Sequence, residues 1–252
     1  MKGTFFKQPL EFSVDIQGES HRQGESLKGS LTLRNHSDEE LDLGQYGVSL
    51  AQTDAKKLKA KKEKGITNKQ QLSFKQGEKL SAKGEASLEW EFKLPTDGAI
   101  SEKSNGPYIY YGATDDLLEG GFLELSILPI EILEKYIEIF ENFFRFKRKS
   151  LKNKAGFIDI QYTCPGGKDF ARVEKLNQHI RIIDSKLEVK WLFKVNKLGY
   201  EAGSVVEEKV DRNFDQLLEK KQFMDFGDFP NQDGILASIK EVLEQVKKYE
   251  IF

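Results

Sequence analysis

The sequence predicts a mainly β fold in two domains: an immunoglobulin-type β-sandwich over residues 1–128, then a second β-rich domain over residues 129–252 with one helix at its start and one at its C-terminus. Between Leu10 and Leu128, short segments of alternating apolar and polar residues are separated by turn residues, which is typical of a sandwich. At Pro129 the apolar spacing changes from every second residue to every third or fourth, which indicates a helix. The length of 252 residues exceeds the roughly 100–200 residues of a common domain and favours two of them.

The first domain is organised around the turn at Gly24, because apolar residues alternate with polar ones on both sides of it. The alternating residues are Leu10, Phe12, Val14 and Ile16 before the turn and Leu27, Leu31 and Leu33 after it. The same alternation over residues 88–94 predicts a half-buried strand with Trp90 in the core. The tyrosines in residues 108–111 are expected to be core or cross-strand residues rather than a platform that stacks on bases or sugars. No long helix is expected in this domain.

The second domain is predicted to begin with an amphipathic helix that packs on a sheet. The apolar face of this helix carries Ile132, Leu133, Tyr136, Ile137, Phe140, Phe143 and Phe144. Residues 156–162 and 187–195 alternate as strands, and Trp191 in the second of them is expected to be buried. At the end of the chain a further helix is predicted, with Asp233 as its N-cap. Residues 200–233 carry no pattern that decides their structure.

The composition indicates a globular protein without a dominant charge. Apolar residues make up 38% of the chain, and 39 basic residues nearly balance 41 acidic ones, so no overall field draws the protein to nucleic acid or anionic lipid. Cys164 is the single cysteine and cannot form an internal disulfide, which favours a reducing compartment. Residues 1–9 do not resemble a signal peptide, and the apolar runs are shorter than the ~18 residues of a membrane span. A cytoplasmic protein without an integral membrane segment is expected.

Two basic segments are the candidate partner-binding residues. They are Lys56, Lys57, Lys59, Lys61 and Lys62 in the first domain, and Arg145, Lys147 and Arg148 in the second. The lysine run lacks an apolar face, so a solvated loop or strand extension is favoured over a binding patch. The second segment alternates in part with Phe144 and Phe146, which is the strongest argument for binding to nucleic acid or a membrane surface. A solvated strand face is the favoured interpretation there, and no nucleic acid is expected as a partner.

Residue patterns that carry catalysis are missing from the sequence. The three histidines, His21, His36 and His179, have no second histidine or cysteine at a metal-ligand spacing. Cys164 has no neighbouring base or cation in the sequence that would activate it, and residues 225–227 copy the metal-binding triplet of protein kinases without the other kinase motifs. We therefore expect no catalytic, cofactor or metal residues and no enzymatic activity. An enzyme with a site between the two domains stays open as the alternative from another class.

The stretch from Arg22 to Asn35, read with Phe92-Lys93-Leu94-Pro95, resembles the amino-terminal domain of arrestin-like proteins, although Gln23 stands where that family usually has proline. The order of elements that follows resembles the bacterial sporulation-control protein family. The matching features are Leu128-Pro129, the helix to Phe144, the strand through Phe146, and the strand pair around Ile182 and residues 189–195.

The resemblance implies a non-enzymatic cytoplasmic regulator or scaffold that acts through protein–protein contacts, and it supplies no catalytic residues. It implies a protein partner, which we expect to bind strand edges or loops of the first domain. The alternatives are peripheral binding to nucleic acid or a membrane surface through the basic strand, and an enzyme.

Overall fold

The computed structural model describes residues 1–60, 62–103, 105–167, 170–201, 204–227 and 229–249. Contacts between Cα atoms divide the chain into two compact units, Met1–Leu128 and Pro129–Phe252. Antiparallel strands dominate the described part of both units, which confirms the predicted mainly β fold class.

The first unit is a sandwich of two four-stranded sheets with short additional pairs. Its strands are β1 (Lys2–Lys7), β2 (Leu10–Ile16), β3 (His21–Arg22), β4 (Ser26–Asn35), β5 (Leu41–Asp42), β6 (Tyr46–Asp54), β7 (Ile66–Ser73), β8 (Lys79–Leu80), β9 (Glu85–Lys93), β10 (Asn105–Ala113), β11 (Gly121–Glu124) and β12 (Ile127–Leu128). The sheet orders are β1-β2-β4-β9 and β11-β10-β6-β7, with β12 paired to β3 and β5 to β8. Apolar side chains from both four-stranded sheets form one buried core, as the alternation around Gly24 and along β9 predicts.

Gly29 is needed where β4 crosses the centre of its sheet. It lies opposite Ile16 of β2 and Trp90 of β9, and a Cβ atom here would overlap the backbone oxygen of Asp15 and the Trp90 ring. The missing side chain therefore makes the space in which the indole of Trp90 is buried.

Gly29→Ala is expected to lower the free energy of unfolding by about 1–3 kcal/mol, because overpacking moves the indole or the strand backbone. Urea unfolding followed by far-UV circular dichroism measures the change. Ser30→Ala is the matched control, since Ser30 is the neighbouring residue on the opposite, half-exposed face. Equal midpoints for Gly29→Ala and the control would contradict the packing argument.

The segment after β6 differs from the loop or strand extension that the sequence predicts. It forms a short helix, α1 (Ala55–Lys59), whose N-cap carboxylate Asp54 accepts hydrogen bonds from the backbone N–H groups of Lys56 at 2.9 Å and Lys57 at 3.1 Å. Leu58 packs with a cluster of Ala51, Tyr108 and Tyr110 on the outer face of the sheet. The lysine run thus has an apolar contact after all, supplied by a single leucine. At five residues α1 is not the long helix that the prediction excludes.

The second unit contains a five-stranded antiparallel sheet in the order β13-β14-β15-β16-β17. The strands are β13 (Lys147–Lys154), β14 (Phe157–Thr163), β15 (Val173–Ile183), β16 (Lys186–Glu201) and β17 (Ser204–Leu218), and the helices are α2 (Glu131–Phe144), α3 (Lys220–Phe223) and α4 (Gln232–Tyr249). Helices α2 and α4 contact each other, and Phe140 of α2 packs its ring against Phe146, Tyr162 and Trp191. The helices at the start and end of this unit confirm the predicted arrangement.

The last helix begins earlier than predicted, because its cap is Asn231 and not Asp233. Gln232 is its first residue, and the Asn231 side-chain oxygen accepts a hydrogen bond from the backbone N–H of Gly234 at 2.9 Å. The cap is therefore Asn231 rather than Asp233, whose carboxylate lies in the first turn, where the helix dipole favours a negative charge. Residues 200–233, which the sequence left undecided, hold β17 and α3 in their described part.

Candidate protein-docking surface

The predicted lysines of the first unit lie on and beside α1. Lys56, Lys57, Lys59 and Lys62 are exposed, and Lys61 lies outside the described residues. Through Leu58 the helix is held against Tyr108 and Tyr110, whose neighbour Phe122 is 48% exposed. The structure thus brings the lysines to an aromatic face that the sequence analysis did not connect with them. Their role in binding a partner stays a prediction.

The predicted basic residues of the second unit lie at the start of β13, which is an edge strand. Arg145 caps the end of α2 in the left-handed conformation with φ of 60°, and Lys147 and Arg148 begin the strand; all three are exposed. The Arg148 Nε atom lies 3.2 Å from a carboxylate oxygen of Glu141. Burial raises the pKa of Glu141, and the Arg148 charge opposes that shift. Arg148 is therefore partly committed to an ion pair within its own unit.

Arg145 also lines a surface pocket of about 450 Å³ in the second unit. Lys240 and Lys247 of α4 contribute to the same pocket, together with Phe143, which is 55% exposed. Glu244 lies beside them and forms an ion pair of 3.0 Å with Lys247. The pocket combines cations, one carboxylate and aromatic rings, and it offers a second surface of mixed character.

A smaller and more apolar pocket of about 280 Å³ lies in the first unit. Its apolar lining comes from Leu50, Ala51, Leu94, Pro95, Ala99, Pro107 and Ile127, and its polar lining from Gln52, Asn68, Gln70, Asp97 and Gly98. The wall is built by the end of β6 with its partner β7 and by the loop that follows β9, with one residue each from β10 and β12. Such a lining suits an apolar side chain with a few polar contacts at the rim.

Gln23 holds one wall of this first-unit pocket. Its side-chain amide donates a hydrogen bond to the Gly98 carbonyl at 2.6 Å, and its backbone N–H donates to the Leu128 carbonyl at 3.0 Å. The side chain is only 4% exposed. Proline, the usual residue here in arrestin-like proteins, has neither donor. Glutamine at this position therefore holds the loop that lines the pocket, which proline could not do.

The inner face of β7 is left uncovered by the sheet opposite. Leu72 and Gln70 of β7 lie across from Val48 and Leu50 of β6, and paired residues point to the same face of a sheet. Val48 and Leu50 are buried in the core, whereas Leu72 is 39% exposed and Gln70 is exposed. The opposite sheet ends at β9, which contacts β7 but leaves Leu72 and Gln70 exposed.

The outer edge of β9 is open for hydrogen bonding. The backbone groups of Leu94 pair with Glu25 and Gly24 on the β4 side, and the Gly84 carbonyl accepts from Asn35 on the same side. Because successive residues of a strand point their backbone groups to opposite edges, the odd-numbered residues of β9 direct their N–H and C=O groups to the open edge. The side chains of these residues lie on the exposed outer face of the sheet.

Three of the outward-facing residues of β9 are acidic. Glu85 forms an ion pair of 2.7 Å with Arg34, and Glu91 lies 3.5 Å from Lys28. Glu89, between them, lies across from Ser30 of β4. The outer face along the open edge of β9 is therefore mainly negative, with Glu89 at its centre and Lys93 at one end.

The sequence analysis missed this edge. Residues 66–73 read Ile-Thr-Asn-Lys-Gln-Gln-Leu-Ser, which lacks the alternation that marks a half-buried strand, so β7 was not predicted. The Glu-Trp-Glu-Phe alternation of β9 was recognised as a strand, but its place at a sheet edge depends on the pairing of distant segments. A signal was present in the three acidic residues on one strand face, since charges are common on exposed edges.

The residues considered for chemistry occupy separate surroundings. Burial lowers the pKa of His21, His36 lies 2.9 Å from Glu11, and His179 lies 3.6 Å from Asp159. Within the described ranges, no three His, Cys, Asp or Glu side chains group as metal ligands would. No helix in the part of the chain that is described has the length and apolar character needed to cross a membrane.

The sandwich followed by a five-stranded sheet with flanking helices is the order of elements that the sequence predicts. The crystal structure of Spo0M, the sporulation control protein from Bacillus subtilis, matches this fold with a TM-score of 0.59 over 95% of this chain and 99% of that one, at 11% sequence identity. The predicted resemblance is thus confirmed at the level of the fold. No family model and no curated protein matches the sequence.

Other solved structures match only part of the chain. The alkylpurine DNA glycosylase AlkC from Pseudomonas fluorescens, bound to DNA with an abasic site analog, covers 47% of this chain and 30% of its own, with 14% identity and a TM-score of 0.33. A β-glucosidase from Listeria innocua in complex with isofagomine covers 49% of this chain and 17% of its own, with 15% identity and a TM-score of 0.28. Similarity at this level supports no functional conclusion.

Proposed function

We propose that the protein is a non-enzymatic cytoplasmic adaptor or scaffold that regulates by binding another protein. The observation that carries the proposal is the open edge of β9 beside the uncovered face of β7 and the apolar pocket of the first unit. Strand edges and apolar pockets are surfaces that bind polypeptide segments. The second unit supplies a further surface at its basic and aromatic pocket.

Support for a regulatory role comes from Spo0M, a sporulation control protein whose fold this chain shares over nearly its whole length. The predicted lysines on α1 and the basic residues at β13 are candidates for additional contacts, because they are exposed. The first group lies beside the aromatic cluster, and the second lies at the start of an edge strand. The proposal concerns binding through surfaces and assigns no substrate.

Photo-crosslinking in extract of the source cells tests the proposal. A photoreactive phenylalanine in place of Gln70, which lines the pocket, is expected to capture a defined protein partner. The matched control carries the photoreactive phenylalanine in place of Asp115, an exposed position on the loop after β10. This control is expected to capture much less of the partner. Mass spectrometry of the crosslinked bands identifies the partner. Equal patterns from both positions, together with turnover of a metabolite by the purified protein, would reject the adaptor function.

A further inference from the structure

We propose that the first unit binds its partner by strand addition: an extended segment of the partner pairs with the open edge of β9, with apolar side chains at alternate positions and lysine or arginine between them. This inference rests on the proposed adaptor function and names the chemistry of the partner. We call the binding site the edge groove: the space beside β9, under Asn68, Gln70 and Leu72 of β7, that ends at the apolar pocket of the first unit.

The backbone of β9 supplies the directional contacts. Five residues of β9, at odd positions 85–93, point their N–H and C=O groups to the open edge. A partner strand in antiparallel or parallel orientation satisfies these groups without disturbing the ladder between β9 and β4. Strand addition of this kind derives affinity from main-chain hydrogen bonds and specificity from the side chains on the two faces.

The uncovered face of β7 lies beside the open edge of β9. Both four-stranded sheets end on this side, one at β9 and the other at β7, and the inward-pointing Leu72 and Gln70 of β7 are exposed. Neighbouring strands lie about 4.8 Å apart, so a strand added to β9 would lie beside the exposed side of Leu72. Its inward side chains would then be placed to contact Leu72.

Apolar residues are required on the inward face of the added strand. The first-unit pocket at the end of the groove is lined mostly by apolar side chains, including Leu50, Leu94 and Ile127, and its volume of about 280 Å³ accommodates one aliphatic or aromatic side chain. Ala86 and Leu88, the inward residues at the other end of β9, are only half-buried and would gain a neighbour.

Basic residues are required on the outward face. The neighbours of the added strand on that face are Glu85, Ser87, Glu89, Glu91 and Lys93, of which three are acidic and one is basic. Arg34 and Lys28 on β4 already neutralise Glu85 and Glu91 from one side, and Glu89 lies across from the uncharged Ser30. A cross-strand lysine or arginine next to Glu89 completes the charge pattern. Antiparallel pairing with a second copy of β9 centred on Glu89 would bring two Glu89 carboxylates together, which is unfavourable.

Fluorescence polarisation with a labelled synthetic nonapeptide that alternates valine and lysine tests the inference on the full chain. Binding is expected for this peptide, with at least tenfold weaker binding of the matched peptide that alternates valine and glutamate. Two further peptides are N-methylated either at every valine or at every lysine. Because N–H groups of alternate residues point to opposite edges, one of these should bind like the parent and the other more than about tenfold weaker.

Protein variants locate the binding on β9. Glu89→Lys is expected to weaken binding of the valine–lysine peptide about three- to tenfold, since an attractive cross-strand pair becomes a repulsive one. Asp115→Lys, a matched change of charge on the loop after β10, should leave binding unchanged. Leu72→Asp is a second variant that is expected to weaken binding of the valine–lysine peptide. Leu72 is partly exposed, so its replacement does not open the core.

Several results would overturn the inference. Equal binding of both N-methylated peptides would show adsorption by charge and apolar contact without strand addition. Absence of binding by any peptide, or equal effects of Glu89→Lys and Asp115→Lys, would reject the edge groove as the site. Crosslinking of the same cellular partner by wild type and Glu89→Lys in equal yield would reject strand addition to β9 and leave the adaptor function intact. Failure of the adaptor function itself appears as the absence of any specific partner in that experiment.

Discussion

Trp191→Ala is expected to lower the free energy of unfolding by about 3–5 kcal/mol. Trp191 is fully buried in the second unit, where its ring packs edge-to-face on Phe140 and stacks on Phe193 at centroid distances of 5.6 and 6.0 Å. Its indole N–H donates to the Gln216 side chain at 3.0 Å, and the amide of Gln216 donates to the Ser238 carbonyl of α4 at 2.9 Å. Alanine leaves a cavity and removes the donor from a half-buried acceptor.

Urea unfolding followed by far-UV circular dichroism measures this loss, because the tryptophan itself is removed from the fluorescence signal. Trp191→Phe is the control that keeps most of the ring volume and removes only the indole N–H. It is expected to cost about 1–2 kcal/mol, mainly from the unpaired Gln216 oxygen. A midpoint for Trp191→Ala that equals wild type would contradict the packing described for the second unit.

Trp90→Ala is expected to have a similar effect in the first unit, again about 3–5 kcal/mol. Trp90 is 4% exposed, lies over Gly29 and has its ring centroid 5.5 Å from that of Phe92. Its indole N–H is buried without a hydrogen-bond partner among the described residues. Trp90→Phe is therefore expected to cost less than Trp191→Phe, since no hydrogen bond is lost and an unsatisfied donor is removed. A larger loss of stability for Trp90→Phe than for Trp191→Phe would show that the indole hydrogen bond does not account for the difference between the two sites.

The same variants test the division into domains. We propose that the two compact units are the domains 1–128 and 129–252 that the sequence predicts. The chain has two tryptophans, one in each unit, so Trp191→Ala leaves Trp90 as the fluorescent reporter of the first unit alone. The unfolding midpoint measured by Trp90 fluorescence in this variant is expected to stay at the wild-type value. Circular dichroism is expected to show the loss of stability of the second unit. A common shift of both signals would indicate one cooperative unit.

The sequence predicted elements whose pattern is set within the element itself. Alternation along β2, β4, β9 and β16 and the helical spacing of α2 and α4 reflect burial of one face, which is visible in the order of residues. Caps and short helices were harder, because Asn231 and Asp233 are both good caps and a hydrogen bond selects between them. The helix α1 was missed because a single leucine, Leu58, joins it to the aromatic cluster.

The candidate site was the least predictable part of the protein. An edge strand is defined by the absence of a neighbour, and the neighbours of β7 and β9 come from segments far away in the chain. The role of Gln23 also needed the structure, since its partner Gly98 is 75 residues away. Sequence reasoning selected charged runs such as residues 56–62, whereas the structure points to backbone groups and a pocket that carry no such signature.

The lysine-rich edge strand β13 has a consequence for handling the protein at high concentration. Lys147, Lys149, Lys152 and Lys154 are exposed along the terminal strand of the second-unit sheet. Two molecules that approached through this strand would bring ammonium groups together before any hydrogen bond could form, which discourages fibre growth. Salt screens that repulsion, with a Debye length of about 8 Å at physiological ionic strength and about 3 Å at 1 M. Concentrated solutions of the protein should therefore stay clear at low ionic strength and become turbid at high ionic strength.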